Sequence, residues 1–232
     1  NSGIVMEQIG DLAKAAKNYS EAGKVFEKIG DIRSLGYCYG NLATNYIVRG
    51  LPNSAREYMV KALELFEKIE DDTSISLTIG NWADWYLLIG DKEMALSKCE
   101  EAIKLACETE NDELICESLI RKAGIIIDSN KTKAFEYLNK ALNESKQKGW
   151  EDLEIMAELN LVELELNTMS DIGRITILPR LNRLENEDIS PILKCRLRLI
   201  NAKLSILAGD PDVANISILS AYKIARKSDL VS

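Results

Sequence analysis

Glycine and alanine recur in this sequence in a frame of about forty residues. Turns centred on glycine fall at Gly10-Asp11, Gly50-Leu51 and Gly90-Asp91, and again at Gly209-Asp210; Asn130 occupies the intermediate turn. Ala43, Ala83, Ala123 and Ala202 each stand seven residues before one of these turns. After the turns come Ala15, Ala55, Ala95, Ala134 and Ala214, and seven residues later Ala22, Ala62, Ala102, Ala141 and Ala221. A sustained period of this length means copies of one supersecondary unit, each unable to bury its own apolar face and therefore stacked on its neighbours.

The segments between the turns carry helical periodicity. Ala55, Tyr58, Met59, Ala62, Leu63, Phe66 and Ile69 follow the three-and-four spacing of an amphipathic helix. Glycine in the turns supplies the positive φ that ends a helix. Pro52, Pro191 and Pro211 fit first helical positions, and Ser190 fits the cap before one of them. Alanines on facing helices let a hairpin close to the short end of the usual separation. Leu42, Tyr46, Trp82, Tyr86, Phe26 and Phe66 are the large residues expected to fill the remaining gaps. The expected fold is all-α, a right-handed α-solenoid superhelix of about five and a half antiparallel helix pairs. The boundaries are a half-unit over 1–30 and units near 31–70, 71–110, 111–149, 150–188 and 189–232, with no linker composition dividing one domain.

The ladder Ala43…Ala55…Ala62, with Leu42 and Tyr46 beside it, resembles the tetratricopeptide-repeat (TPR) motif, and Trp82-Ala83…Tyr86…Ala95…Ala102 resembles it equally. The usual TPR unit has 34 residues. The longer unit here is similar to the subclass in kinesin light chains, cell-polarity adaptors and the sensor regions of signalling ATPases and transcription activators. The proline that usually follows the second helix is absent. The unit near 151–187 departs furthest: Val162 and Arg174 replace ladder alanines, and Pro179 falls inside the second helix, where a kink is expected.

Composition narrows function. The chain has no His, which removes the commonest general base and metal ligand. Cys38, Cys99, Cys107, Cys116 and Cys195 form no C-x-x-C pair, so they read as buried small residues in a reducing cytoplasm. The glycines are dispersed as turn punctuation rather than gathered in a phosphate-binding loop. Acidic clusters at Glu70-Asp71-Asp72, Glu108 to Glu113 and Glu151-Asp152 lie at helix junctions, where carboxylates cap helices. No enzyme, cofactor or metal is expected. The net charge is −8, yet the stretch from Arg174 to Ser232 has ten Lys/Arg against six Asp/Glu, +4, which leaves −12 for the rest. The acidic body argues against nucleic-acid contact. No apolar run suits a membrane span, no signal peptide is visible, and the missing initiator Met suggests a piece of a longer protein.

The resemblance places the first helix of each pair on the concave side and implies that a column of Asn there holds the backbone of an extended peptide. That column is Asn41, Asn81, Arg121, Asn160 and Ile200. An Asn amide offers both a donor and an acceptor, as a peptide group does; the competing reading is bonding to neighbouring helices. Beside it lie Tyr37, Gly40, Thr44, Ile47 and Val48, then Leu77, Gly80, Asp84, Leu87 and Leu88, then Glu117, Ile120, Gly124, Ile127 and Asp128. The expected binding set is Tyr37, Asn41, Thr44, Val48, Leu77, Asn81, Asp84, Leu88, Arg121 and Asn160. The Lys/Asn clamp by which some TPR proteins hold a C-terminal carboxylate is missing. The expected function is a protein- or peptide-binding scaffold, a regulatory or sensor module of a larger signalling or transcription-related protein. The alternatives are a small-molecule sensor, or self-association through the apolar stripe Ile216, Ile218, Leu219, Tyr222 and Ile224 at the C-terminal end.

Overall fold

The computed structural model describes residues 11–166, 171–185, 187 and 189–228; Gly10 and the side chain of Arg174 lie outside the described residues. Within them are eleven helices: α1 (Leu12–Ile29), α2 (Ile32–Val48), α3 (Pro52–Lys68), α4 (Asp72–Leu88), α5 (Lys92–Glu108), α6 (Asp112–Ile126), α7 (Lys131–Lys148), α8 (Glu151–Leu166), α9 (Asp171–Glu185), α10 (Pro191–Leu207) and α11 (Pro211–Lys227). The chain is an all-α stack of helix hairpins.

The helix ends are made by local chemistry. Asp11, Asp31, Asp71, Asp91, Asn111, Asn130, Ser190 and Asp210 each accept a backbone N–H from the third residue of the helix they precede. The junction carboxylates of the acidic clusters thus include working caps at Asp71. Pro52, Pro191 and Pro211 open their helices, where a missing N–H costs no bond. Gly30, Gly50, Gly90, Gly149 and Gly209 take positive φ in the connections; Glu70 and Glu110 do the same without being glycine.

The alanine ladder is the hairpin contact. Every ladder alanine except the half-buried Ala22 is at most 3 % exposed. Phe66 and Leu42 are buried among them, each 2 % exposed. Gly36 belongs to the same packing: a Cβ there would lie 2.6 Å from the Phe66 ring. The first helices of neighbouring units also touch, α2 with α4, α4 with α6, α6 with α8 and α8 with α10, whereas neighbouring second helices make no comparable contact among the described residues. The first helices therefore line the inner side of the stack and the second helices its outer side.

The pair α8–α9 is built differently. Val162 is fully buried where the ladder has alanine, α9 runs through Pro179, and Ile177, Leu181 and Leu184 of α9 share one buried core with Ile155, Leu159 and Val162 of α8. A polar clamp lies beside that core. Arg180 donates to Glu158 at 3.0 Å and to Glu165 at 2.6 Å. Arg183 meets Glu154 at 3.2 Å and also Glu158, whose side chain is 6 % exposed. Arg196 from α10 reaches Glu163, and Arg198 reaches Glu185 at 2.6 Å. The basic C-terminal part of the sequence thus faces an acidic neighbour, the carboxylates of α8 and α9. Among the described residues, no helix is long and apolar enough to cross a membrane.

Candidate functional site: the inner groove

The residues singled out from the sequence lie on the inner helices, but their surroundings divide them. Asn81 on α4 is 9 % exposed, and no described residue bonds its amide. Asn41 on α2 is half-buried and likewise has no partner among the described residues. Around them, Tyr37, Leu77 and Leu88 expose 43 %, 37 % and 38 % of their surface. Tyr37 is anchored nonetheless: its ring lies 5.4 Å from that of Phe66, and its oxygen accepts from Ser74 Oγ at 3.3 Å. Thr44 is exposed and donates to the Gly40 carbonyl at 3.2 Å; Val48 is half-buried at the end of the helix.

The column changes character further along. Arg121 on α6 donates to Asp84 of α4 and to Glu117, each at 2.9 Å, and only 10 % of its side chain is exposed. Burial works against its charge, but Asp84 and Glu117 prevail and hold its pKa above the ordinary arginine value. Its guanidinium occupies the space left by Gly80, where a Cβ would come within 2.9 Å of Nη1. Asn160 on α8 donates to the Met156 carbonyl at 2.9 Å and accepts from Arg196 at 2.7 Å. Arg121 and Asn160 are struts between neighbouring inner helices. The physical reason is register: a long cation one unit along reaches back over a small or polar residue of the previous unit. Ile120, expected in the groove, is buried at 2 % exposure, and Asp128 pairs with Lys92 on the outer helix at 3.0 Å. Gly40 and Gly124, unlike Gly80, have nothing within 4 Å of the place a Cβ would take.

The open part of the inner face therefore runs from Tyr37 and Asn41 through Leu77 and Asn81 to the Asp84–Arg121–Glu117 triad. It is apolar, carries amides with no partner among the described residues, and ends on a cluster of net charge −1. Such a surface suits a peptide group lying across the helices and side chains dropping between them.

Two residues expected to fill the core are only partly covered, though Tyr86 packs against the Ala83, Ala95 and Cys99 cluster. Trp82 and Tyr86 are half-buried and line an outer cleft of about 550 Å³ between α3 and α5. The sequence held a signal for it: at the positions of Tyr58 and Tyr137, this unit has Lys98. The stripe on α11 is open, with Ile216, Leu219 and Tyr222 exposed by 68 %, 58 % and 54 %.

No protein-family model matches the sequence, and no curated protein matches it. Solved structures do. BtubC (BKLC) from P. vanneervenii superposes with a TM-score of 0.64 at 19 % identity, over 93 % of this chain and 90 % of that one. The apo form of RapI superposes with a TM-score of 0.65 at 14 % identity, over 97 % of this chain and 81 % of that one. The chain shares a TPR-like helical-repeat solenoid fold with both.

Proposed function

We propose that this chain is a protein- or peptide-binding scaffold, a regulatory or sensor module of a larger signalling or transcription-related protein, and that it binds through the inner groove. The observation that carries the reading is Asn81: a residue 9 % exposed whose amide reaches the groove surface and is bonded by no described residue, beside the exposed Leu77 and Leu88. An amide facing the groove without a partner is free to pair, and an extended peptide laid along the groove supplies both a donor and an acceptor for it. The absence of His supports binding over catalysis, as does the commitment of carboxylates to caps and ion pairs. Peptides selected from a random library on the unaltered chain provide the test. Asn81→Ala is expected to weaken them by about tenfold, with the melting temperature nearly unchanged; equal binding by the variant would sink the reading.

The exposed stripe on α11 favours self-association as a second reading. Light scattering over a concentration series is expected to show a dimer, and a strict monomer at high concentration would rule it out.

A further inference from the structure

The outer cleft over α4 is an irregularity in a repeated structure, and the repeat itself shows what is missing. Above α2, the equivalent space is filled from within. Tyr58 of α3 stacks on Tyr46 with ring centroids 5.7 Å apart and planes 17° apart, and packs against Tyr39 at 5.7 Å. Above α6, Tyr137 of α7 packs on the core of its unit. The residue in the same frame on α5 is Lys98, which turns to Glu101 at 2.7 Å. Where its neighbours each place a tyrosine, this unit has a cleft of about 550 Å³, floored by Ile79, Trp82 and Tyr86. Tyr86 corresponds in the repeat to Tyr46. Among the described residues no ring stacks parallel on it: Trp85 meets it edge-on at 77°, and Trp82 lies tilted 6.2 Å away.

We propose that this cleft is a docking site for a partner protein, which inserts an aromatic side chain carried next to a basic residue. The ring takes the place held by Tyr58 and Tyr137 in the neighbouring units and stacks on Tyr86. The volume lies within the range of ligand pockets, room enough for a ring and the residues that carry it. An aromatic side chain gains from burial and from ring geometry together, which an aliphatic one does not. The basic neighbour follows from the rim. Lys98 pairs with Glu101 and Lys104 with Glu108, whereas Glu67 has no ion pair among the described residues, so the rim is left with one negative charge. The site lies on the outer face, is distinct from the inner groove, and does not depend on a peptide occupying that groove.

The three tryptophans of the chain provide the assay. Trp82 lines the cleft, Trp85 donates its indole N–H to the Pro52 carbonyl at 2.8 Å, and Trp150 lies at the start of α8, away from the cleft. End-blocked Tyr-Lys and Ala-Lys dipeptides are titrated at millimolar concentrations while the indole N–H resonances are followed by NMR. Tyr-Lys is expected to move the Trp82 resonance and leave Trp150 in place; Ala-Lys is expected to move neither. Lys98→Tyr supplies the missing ring from within, and is expected to abolish the response while raising the melting temperature. Glu67→Gln is expected to weaken Tyr-Lys roughly two- to fivefold at low salt. Equal shifts from the two dipeptides, no Trp82 shift with Tyr-Lys, or an undiminished response in Lys98→Tyr would overturn the proposal. An undiminished affinity in Glu67→Gln would overturn the choice of a basic neighbour.

Discussion

At the scale of single residues, the same residue type on the same helix face takes different roles, and what decides is the residue one unit away. Gly40, Gly80 and Gly124 occupy the inner helices alike, yet only Gly80 faces a neighbour, the guanidinium of Arg121. Its small size is explained by the ion pair with Asp84. Gly40 and Gly124 are explained by nothing among the described residues, and a helix-interior glycine costs about 1 kcal/mol relative to alanine. Gly40→Ala is therefore expected to stabilise the fold by about 1 kcal/mol in urea unfolding. A drop in peptide binding alongside that gain would mark Gly40 as a place where ligand backbone approaches; a loss of stability would mean that a neighbour already fills the space. The asparagine column was legible as a column but not in its roles. Asn160 and Arg121 are occupied because Arg196 and Asp84 stand in reach of them, an inter-unit register that the sequence of one helix does not contain. The expectation of buried cysteines holds for three of five: Cys38, Cys99 and Cys116 are buried, and burial pushes the Cys99 and Cys116 thiols up to about 11, whereas Cys107 is exposed, on the outward side of its helix, and Cys195 is half-buried.

At the scale of elements, the positions of turns and facing alanines were readable because they are dictated locally. A cap needs Asp, Asn or Ser before the helix, a left-handed connection favours glycine, and a close hairpin needs alanine on both helices. The exceptions show the same physics from the other side. Glu70 and Glu110 end α3 and α5 in the left-handed region, with φ of 53° and 51°, where other units use glycine. A side chain in that region costs roughly 1–2 kcal/mol. Glu110→Gly removes the cost without disturbing a buried contact, since Glu110 is exposed. A gain of about 1 kcal/mol is expected, seen calorimetrically as a rise of roughly 2–4 °C in a chain of this size. An unchanged melting temperature would show that the connection adapts without strain. The outer cleft escaped the sequence reading for a related reason. Trp82 and Tyr86 have core spacing and core chemistry, and only a comparison of Lys98 with Tyr58 and Tyr137 across units shows that their cover is missing.

At the scale of the whole molecule, a solenoid holds together through contacts between neighbours, so one weak interface divides its stability. The interface that departs from the alanine ladder is α8 with α9. The two faces of α8 serve two cores: Leu153, Ala157, Leu161 and Leu164 pack toward the preceding units, and Ile155, Leu159, Val162 and Leu166 toward the following ones. On the following side Val162 takes the alanine position among larger buried apolar residues, and Glu158 gathers Arg180 and Arg183 beside them. Such ion pairs add little net stability to the apolar contact, because desolvation offsets much of their attraction. They also fail abruptly when one partner goes, since the remaining charges are left facing each other or low-dielectric surroundings. Glu158→Ala is expected to cost about 2 kcal/mol, less than a fully buried pair because Arg180 and Arg183 remain 29 % and 45 % exposed. The loss should not be spread evenly. In hydrogen exchange, amides of α9, α10 and α11 are expected to exchange faster in the variant, while those of α1 to α7 keep their protection, because the perturbed interface lies beyond them. Faster exchange throughout the chain would mean that the stack unfolds as one cooperative unit. In that case the acidic clamp on α8 carries no more of the fold's continuity than an alanine hairpin does.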